Sequence, residues 1–280
     1  MKRRFILLAL VAFVSAALHA QLVYPIVGQY KNKSAQGMAI WHDYAFLMND
    51  GGYCRVYHLK SEKVIDEFPL GSANKDNHVN NSCFGNESLE EGNPPVIYIT
   101  ECKKQYRCFV EKITSHSSEL VQTICAKEKG KNAAVLIWVT DAVNGYLYSV
   151  TRSGEKLDSI GSVANTITKY RLPKLNEGEN IVLNENDVLN RFVVVFPNIL
   201  QGAKIKNNNL YIVTGLQETL SHRQDAHRAI LIIDLKHGRL KKTIDLTRVT
   251  TNEPEDMDFY RNTPLLYCGQ NGGLYKVKLK

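Results

Sequence analysis

The chain has 280 residues, 44% of them hydrophobic, which is enough to bury a sizeable core in one or two domains. Its formal net charge is +7. The lysines are scattered, without a basic stripe or an aromatic ladder, so the composition excludes an extended nucleic-acid-binding surface. No GxSxG, P-loop, HExxH or dinucleotide-binding motif occurs, and hydrolysis by a serine nucleophile has no support.

The first twenty residues, MKRRFILLALVAFVSAALHA, have the layout of a secretory signal peptide. Lys2, Arg3 and Arg4 form its charged start, residues 5–14 form its apolar run, and small residues after position 14 offer cleavage points. The apolar run is too short to predict a membrane span. We therefore predict a signal peptide at residues 1–20, one domain at residues 21–280 without a membrane span, and a secreted or periplasmic location.

Short apolar segments rich in β-branched and aromatic residues follow, separated by turn residues, and this spacing predicts an all-β fold. Five segments share a strand–turn–strand pattern. In chain order they read YAFLMNDGGYCRVYHL, VIYITECKKQYRCFVEKI, VLIWVTDAVNGYLYSV, LYIVTGLQETLSHRQDAHRAILIIDL and LLYCGQNGGLYKVKL. With a short leader before most hairpins and an extended stretch after four of them, each unit has about four strands. That size is typical of β-propeller blades.

Blades bury their faces only against neighbouring blades, so the units must close into a ring. Five units predict five blades. Residues 165–196 leave a sixth blade open, because they read either as an insertion in the third blade or as part of another one. The fifth unit ends after its third strand, and the apolar segment QLVYPIVGQY lacks a hairpin partner. We predict that residues 23–27 pair with residues 274–279 and close the ring.

Export would place the six cysteines in an oxidising compartment. Cys102 and Cys108 stand on facing arms of a tight hairpin in YITECKKQYRCFVEKI, within disulfide reach if the register matches. We predict a Cys102–Cys108 disulfide. Two free, half-buried thiols are the alternative.

Four stretches carry a resemblance to known proteins: QGMAIWHDYAFLMNDGGYCRVYHL, HVNNSCFGNE, QGAKIKNNNLYIVTG and EPEDMDFYRNTPLLYCG. Over most of residues 30–280 the chain resembles exported bacterial β-propellers of unassigned activity. It is broadly similar to the six-bladed and YVTN-type propellers that include gluconolactonase-like and phytase-like proteins. The QG before a strand is also similar to five-bladed glutaminyl cyclase, but the rest of that pattern is not evident and none of its residues is carried over. Because propellers host enzymes and binding modules alike, the resemblance implies a fold and no single function.

The first strand of each propeller blade lines the central channel, and the short leaders would be these strands. Together they would bring six polar residues to one end of the axis: Gln36, His78, Asn80, Gln201, Glu253 and Glu255. Each stands beside residues expected to be buried, so each needs a partner, which can be water, an ion, a ligand or another side chain.

Several chemistries suit this set, and the leading prediction is a small polar or carbohydrate ligand, or a divalent ion, at the channel mouth. Glu253 and Glu255 with amide oxygens are ligands for a hard cation such as Ca²⁺. An alternative is a hydrolase or lyase that uses His78 and Glu253 as acid and base with a divalent ion. A protein-interaction platform and a water-filled channel are the remaining alternatives, so the sequence leaves open whether any reaction is catalysed.

Overall fold

The computed structural model is an all-β propeller with five blades arranged in a ring, as the repeats predict. The structure describes ten segments: residues 21–24, 35–74, 76–104, 106–128, 130–157, 162–197, 199–216, 227–247, 249–269 and 273–279. For residues 21–24, 153–156 and 197 it describes the backbone alone. The predicted signal peptide at residues 1–20 lies outside the described residues.

Strand β1 (Gln21–Tyr24) belongs to the last blade, and the next four strands build the first one. Blade 1 contains β2 to β5, which span Ala35–Trp41, Tyr44–Asn49, Tyr53–His58 and Lys63–Pro69. Blade 2 contains β6 to β10, which span Val79–Phe84, Ile97–Glu101, Cys108–Thr114, Ser117–Glu128 and Lys131–Asn132.

The remaining three blades follow in chain order. Blade 3 contains β11, β12, β13 and β15, which span Val135–Asp141, Tyr146–Lys156, Ser162–Arg171 and Val188–Pro197. Blade 4 contains β16 to β19, which span Leu200–Lys206, Asn209–Thr214, Ala229–Asp234 and Arg239–Asp245. Blade 5 contains β20 to β22, which span Pro254–Tyr260, Thr263–Cys268 and Leu274–Lys276, together with β1.

The N-terminal strand closes the ring, and this prediction is confirmed. Strand β1 pairs antiparallel with β22, with Gln21 opposite Lys276 and Tyr24 opposite Leu274. The pairing begins two residues earlier than the sequence predicts, and residues 25–27 lie outside the described residues. A strand from the start of the chain thus joins the last blade to the rest of the ring.

Residues 165–196 complete blade 3 and do not form a sixth blade. They supply most of β13 and β15, which pair antiparallel along their whole length. Between them lie two short 3-10 helices, Leu175–Glu177 and Glu185–Asp187, and strand β14 (Asn180–Leu183). Strand β14 pairs in parallel with β9 of blade 2, so the insertion also ties two blades together.

The core lies in the wedges between neighbouring blades. Because side chains alternate along a strand, adjacent residues of β3 face opposite neighbours. Phe46 packs with Ile97 of blade 2. Leu47, the next residue, packs with Tyr267 of blade 5. Each blade is therefore held by the two beside it, as expected for a closed array of repeats.

Two faces of the propeller follow from this topology. We call the face where the five inner strands β2, β6, β11, β16 and β20 begin the upper face, and the opening of the axis there the upper mouth. Tight turns such as Asn207–Asn208, both with positive φ, close the hairpins on the opposite face. Within the described segments, no helix is long and apolar enough to cross a membrane.

Candidate functional site at the upper mouth

Every inner strand begins with a β-bulge. In each of the five, the pairing with the next strand slips by one residue within the first few positions. The slips lie between Ala35 and Met38, Val79 and Ser82, Val135 and Ile137, Leu200 and Ala203, and Pro254 and Asp256. A bulge bends its strand and re-aims a side chain, and bulges are over-represented at the rims of barrels and next to active sites.

The second residue of each inner strand lies inside its bulge and forms a ring of equivalent positions, which we call the mouth ring. Its members are Gln36, Asn80, Leu136, Gln201 and Glu255. The four polar members are all buried, with 6% or less of their surface exposed. Four of the six residues predicted from the sequence therefore occupy one structural position in four blades.

Amide groups in the mouth are already bonded within the protein. Gln201 Nε2 donates to Glu253 Oε1 at 2.8 Å and to the Gly215 carbonyl at 3.0 Å. Asn80 Nδ2 donates to the carbonyls of Leu136 and Gln201, at 3.0 and 3.2 Å. Buried Gln36 Oε1, by contrast, has no hydrogen-bond partner among the described residues.

Glu253 lies just before β20 and is half-buried. Burial raises the pKa of Glu253 above its usual value, and the hydrogen bond from Gln201 opposes that shift. The structure thus brings two of the predicted residues, Gln201 and Glu253, into direct contact.

His78, the residue before β6, has different surroundings. Burial and the charge of Lys103 lower the pKa of His78, while Asp50 and Glu101 raise it, so the imidazole is neutral at pH 7. Burial and Gln201 account for the environment of Glu253, and no described contact joins Glu253 to His78. The roles of His78 and Glu253 as acid and base toward a ligand stay a prediction.

The predicted cation site also finds no support in the described part of the chain. There, no group of three or more His, Cys, Asp or Glu side chains is arranged to hold a metal ion. The two predicted ligands also differ in setting, because Glu255 is buried in the mouth ring whereas Glu253 is half-buried and bonded to Gln201. The Ca²⁺ site remains a prediction without a described ligand set.

Below the mouth, Asp256 and Asp258 fill the middle of the axis; they belong to the acidic cluster of residues 253–258 but not to the site residues predicted from the sequence. Asp256 accepts hydrogen bonds from the backbone N–H of Met38 at 2.6 Å, of Ser82 at 3.3 Å and of Met257 at 2.7 Å. A Cβ at Gly202 would lie 2.1 Å from Asp256 Oδ1, so only glycine lets β16 approach this closely.

Asp258 stands two residues further along β20 and plays a similar part. It accepts from the backbone N–H of Ile40 at 2.7 Å and pairs with Lys204 Nζ at 2.6 Å. Asp256 and Asp258 therefore cap alternate N–H groups on the channel edge of β2. The alternation in PEDMD puts both on one face of the strand, and this was the available sequence signal.

The predicted Cys102–Cys108 disulfide is not formed, and both residues are free thiols. The register explains this, because Cys108 lies opposite Thr100 and Glu101 N–H donates to the Arg107 carbonyl. Cys102 therefore lies two residues beyond Thr100, the residue that Cys108 faces, which is a shift of about 6.6 Å along the strand. Combined with the spacing between the strands, this shift puts the two Cα atoms farther apart than a disulfide allows. The hairpin therefore holds two free thiols, which was the alternative to the disulfide.

Comparisons with known proteins support the fold. No family model matches the chain, and no curated protein matches it either. Among solved structures, the glutaminyl cyclase of Myxococcus xanthus superposes with a TM-score of 0.53 at 15% identity, over 92% of this chain and 95% of that one.

Two further solved structures superpose less closely. The WD40 β-propeller domain of Doa1 superposes with a TM-score of 0.42 at 11% identity, over 87% of this chain and 63% of that one. Kuenenia stuttgartiensis hydrazine synthase superposes with a TM-score of 0.42 at 11% identity, over 83% of this chain and 60% of that one. At these identities the likeness to glutaminyl cyclase concerns the propeller fold alone.

Proposed function

We propose that the protein binds a small polar ligand, a sugar or another polyol, at the upper mouth. One observation carries the proposal: four of five inner strands use the same bulge to place a buried polar side chain in the mouth ring. Burying polar groups is unfavourable unless they gain hydrogen bonds, and the buried oxygen of Gln36 has no partner among the described residues, so this ring favours a ligand that donates to it.

The donor and acceptor inventory narrows the ligand class. The amide N–H groups of Asn80 and Gln201 are engaged by carbonyls and by Glu253. The oxygen of Gln36 is buried and has no partner among the described residues, and the carboxylate of Glu253 accepts only. A ligand in this mouth therefore has to donate hydrogen bonds, which hydroxyl groups do.

Catalysis by His78 and Glu253 stays a prediction and is not part of this proposal. We also propose that residues 1–20 are removed on export, so that the ligand is met in the periplasm or outside the cell. Mass spectrometry of the protein recovered from the producing cells tests export, since a mass that includes residues 1–20 would contradict it.

The binding test is a thermal-shift screen of the purified protein against monosaccharides, polyols, amines and divalent cations. A ligand that binds only the folded state at about 100 times its Kd stabilises it by about 2.7 kcal/mol. We expect sugars or polyols to raise the melting temperature and divalent cations to leave it unchanged. A rise with Ca²⁺ alone would favour the cation site, and no rise with any compound would refute the binding proposal.

Gln36→Leu then locates the site. Leucine already occupies the equivalent position of the mouth ring in blade 3, as Leu136, so the fold accepts it there. We expect this variant to lose most of the ligand-induced shift. Gln122→Leu is the matched control, because Gln122 is a buried glutamine of β9 that bonds the carbonyls of Lys174 and Gly178 away from the axis. It should melt earlier but keep the ligand-induced shift.

A further inference from the structure

The outer edges of the five blades are protected in different ways. Blades 1 and 4 carry exposed charged residues on their outer strands. In blade 1 these are Lys63 and Glu67 of β5, and in blade 4 they are Arg239, Lys241 and Lys242 of β19. In blade 2, strands β10 and β14 cover the outer edge of β9. Blade 5 ends in β1, which has only four residues. Charges, covering strands and short length all prevent an edge from pairing with another chain.

Blade 3 has fewer of these protections. Its outer strand, β15, is ten residues long, and among the described residues no strand pairs with its outer edge. Its last six residues, FVVVFP, contain no charge. Val194 and Phe196 are buried in the core, while Val193 and Val195 on the other face are 58% and 47% exposed. Long, apolar, unpaired edges of this kind are sites of strand pairing between chains.

The insertion between β13 and β15 is close to this edge in sequence, but it pairs with blade 2 and leaves the edge of β15 uncovered. Its strand β14 adds to blade 2, with Asn180 opposite Thr123 and Leu183 opposite Ala126. The side chain of Gln122 fixes that arrangement by donating to two carbonyls of the insertion. Blade 2 thereby gains a covered edge and blade 3 keeps an open one.

We propose that two copies of the chain pair through β15, antiparallel and about a two-fold axis. Within the described residues, β15 is the long edge that has an uncharged apolar run and no covering strand, so the edge that suits it best on a second copy is β15 itself. A pairing centred on Val194 places each Val193 opposite Val195 of the second copy. Such β-branched cross-strand pairs are stabilising.

The charged residue of β15 is also compatible with this antiparallel pairing. Arg191, the charge nearest the valines, is held by both carboxylate oxygens of Glu185, at 3.0 and 3.2 Å. Centred on Val194, the pairing places Arg191 opposite Pro197, so no like charges meet. Because the contact joins the same surface on both copies, it closes as a dimer and does not grow into a fibre.

Sedimentation velocity of the purified protein, from low micromolar to about 1 mM, tests the proposal over the range of weak protein complexes. We expect a monomer–dimer equilibrium in the wild type. Val193→Lys should raise the dimer Kd by about tenfold or more, because lysine on an edge strand opposes pairing and two symmetric valine pairs are lost. Val143→Lys is the matched control: this valine is 95% exposed on a turn of the same blade, away from the edge, and its variant should dimerise like the wild type.

Circular dichroism melting checks that Val193→Lys is folded, and Val195→Lys replaces it if it is not. A wild type that stays monomeric at all concentrations would overturn the proposal and leave a strand from another protein as the occupant. A dimer that both lysine variants at the edge leave unchanged would overturn it equally, because the contact would then lie elsewhere.

Discussion

The acidic cluster at residues 253–258 serves two regions of the axis in two different ways. In the middle of the axis, Asp256 and Asp258 accept hydrogen bonds from N–H groups of β2 and, in the case of Asp258, pair with Lys204. At the upper mouth, Glu253 bonds one side-chain amide, that of Gln201. The two regions are only a few residues apart on one strand, yet one is saturated by backbone donors and the other is not.

The backbone of the inner strands explains this difference. The inner strand of each blade has a backbone edge that faces the axis without a neighbouring strand, and its N–H groups need acceptors. Carboxylates that meet such groups stabilise the fold. In the proposed function, carboxylates beyond the reach of these groups are the candidates to bind a ligand.

Removing the cation from the middle of the axis should have the largest effect. Lys204→Met leaves the buried carboxylate of Asp258 without its ion-pair partner, so we expect a loss of about 3–5 kcal/mol in the free energy of unfolding by urea. The double variant Lys204→Met with Asp258→Asn should recover part of this loss, because no uncompensated charge remains.

Lys206→Met is the control on the same strand. Its ammonium lies over the ring of Phe259, 4.3 Å from the centroid, and is partly exposed, so a loss of about 1 kcal/mol or less is expected. Equal losses for Lys204→Met and Lys206→Met would mean that the pair in the middle of the axis is not structural.

Asp256→Asn should cost less than the loss of Lys204 but remain clearly destabilising. Both oxygens of Asp256 accept from backbone N–H groups, and an amide can offer an oxygen on one side only. We expect a loss of about 1–3 kcal/mol. Asp76→Asn, at an exposed ion pair with Lys104, should change stability by less than about 0.5 kcal/mol in the same urea titration.

At the mouth, Glu253→Gln should change stability by less than about 1 kcal/mol and in a pH-dependent manner. Burial raises the pKa of Glu253, so between its usual value of 4.5 and the raised value the folded state binds more protons than the unfolded state. The stability contributed by this group is therefore lost as the pH rises through that window.

Glutamine does not titrate and still accepts from Gln201. Relative to the wild type, Glu253→Gln should thus gain stability as the pH rises above 4.5, as measured by urea unfolding. A relative loss over the same interval would show that the carboxylate is stabilised by charge at the mouth, as it is in the middle of the axis.

The smallest expected effect is a difference in alkylation rate between a thiol near the mouth and a thiol in the middle of the axis. Cys102 lies near the mouth and is partly exposed, whereas Cys83 is buried beside Lys204. Burial raises the pKa of Cys102 to about 12, so alkylation at pH 8 should be slow at both thiols and slower at Cys83. Peptide mass spectrometry after timed alkylation measures this order, and a Cys102–Cys108 disulfide in the unreduced protein would contradict the hairpin register.

Much of the fold could be predicted because each blade repeats a local pattern. Alternating apolar residues and turn residues predicted the hairpins, their repetition predicted five blades, and the unpartnered segment near the start predicted ring closure. The disulfide was mispredicted because two residues of loop displace Cys102 from Cys108, and hairpin register depends on turn geometry that composition does not reveal.

For the site, the strand beginnings that carry polar residues could be predicted from the sequence, because Gln36, Asn80, Gln201 and Glu255 each precede an apolar strand pattern. The contacts of each carboxylate, by contrast, depend on how distant parts of the chain pack together. Asp256 accepts from Met38, 218 positions away in the chain, and this contact exists because ring closure sets β20 beside β2. Side-chain polarity is a local property, whereas the number of donors that reach a buried oxygen depends on how the blades are packed around the axis.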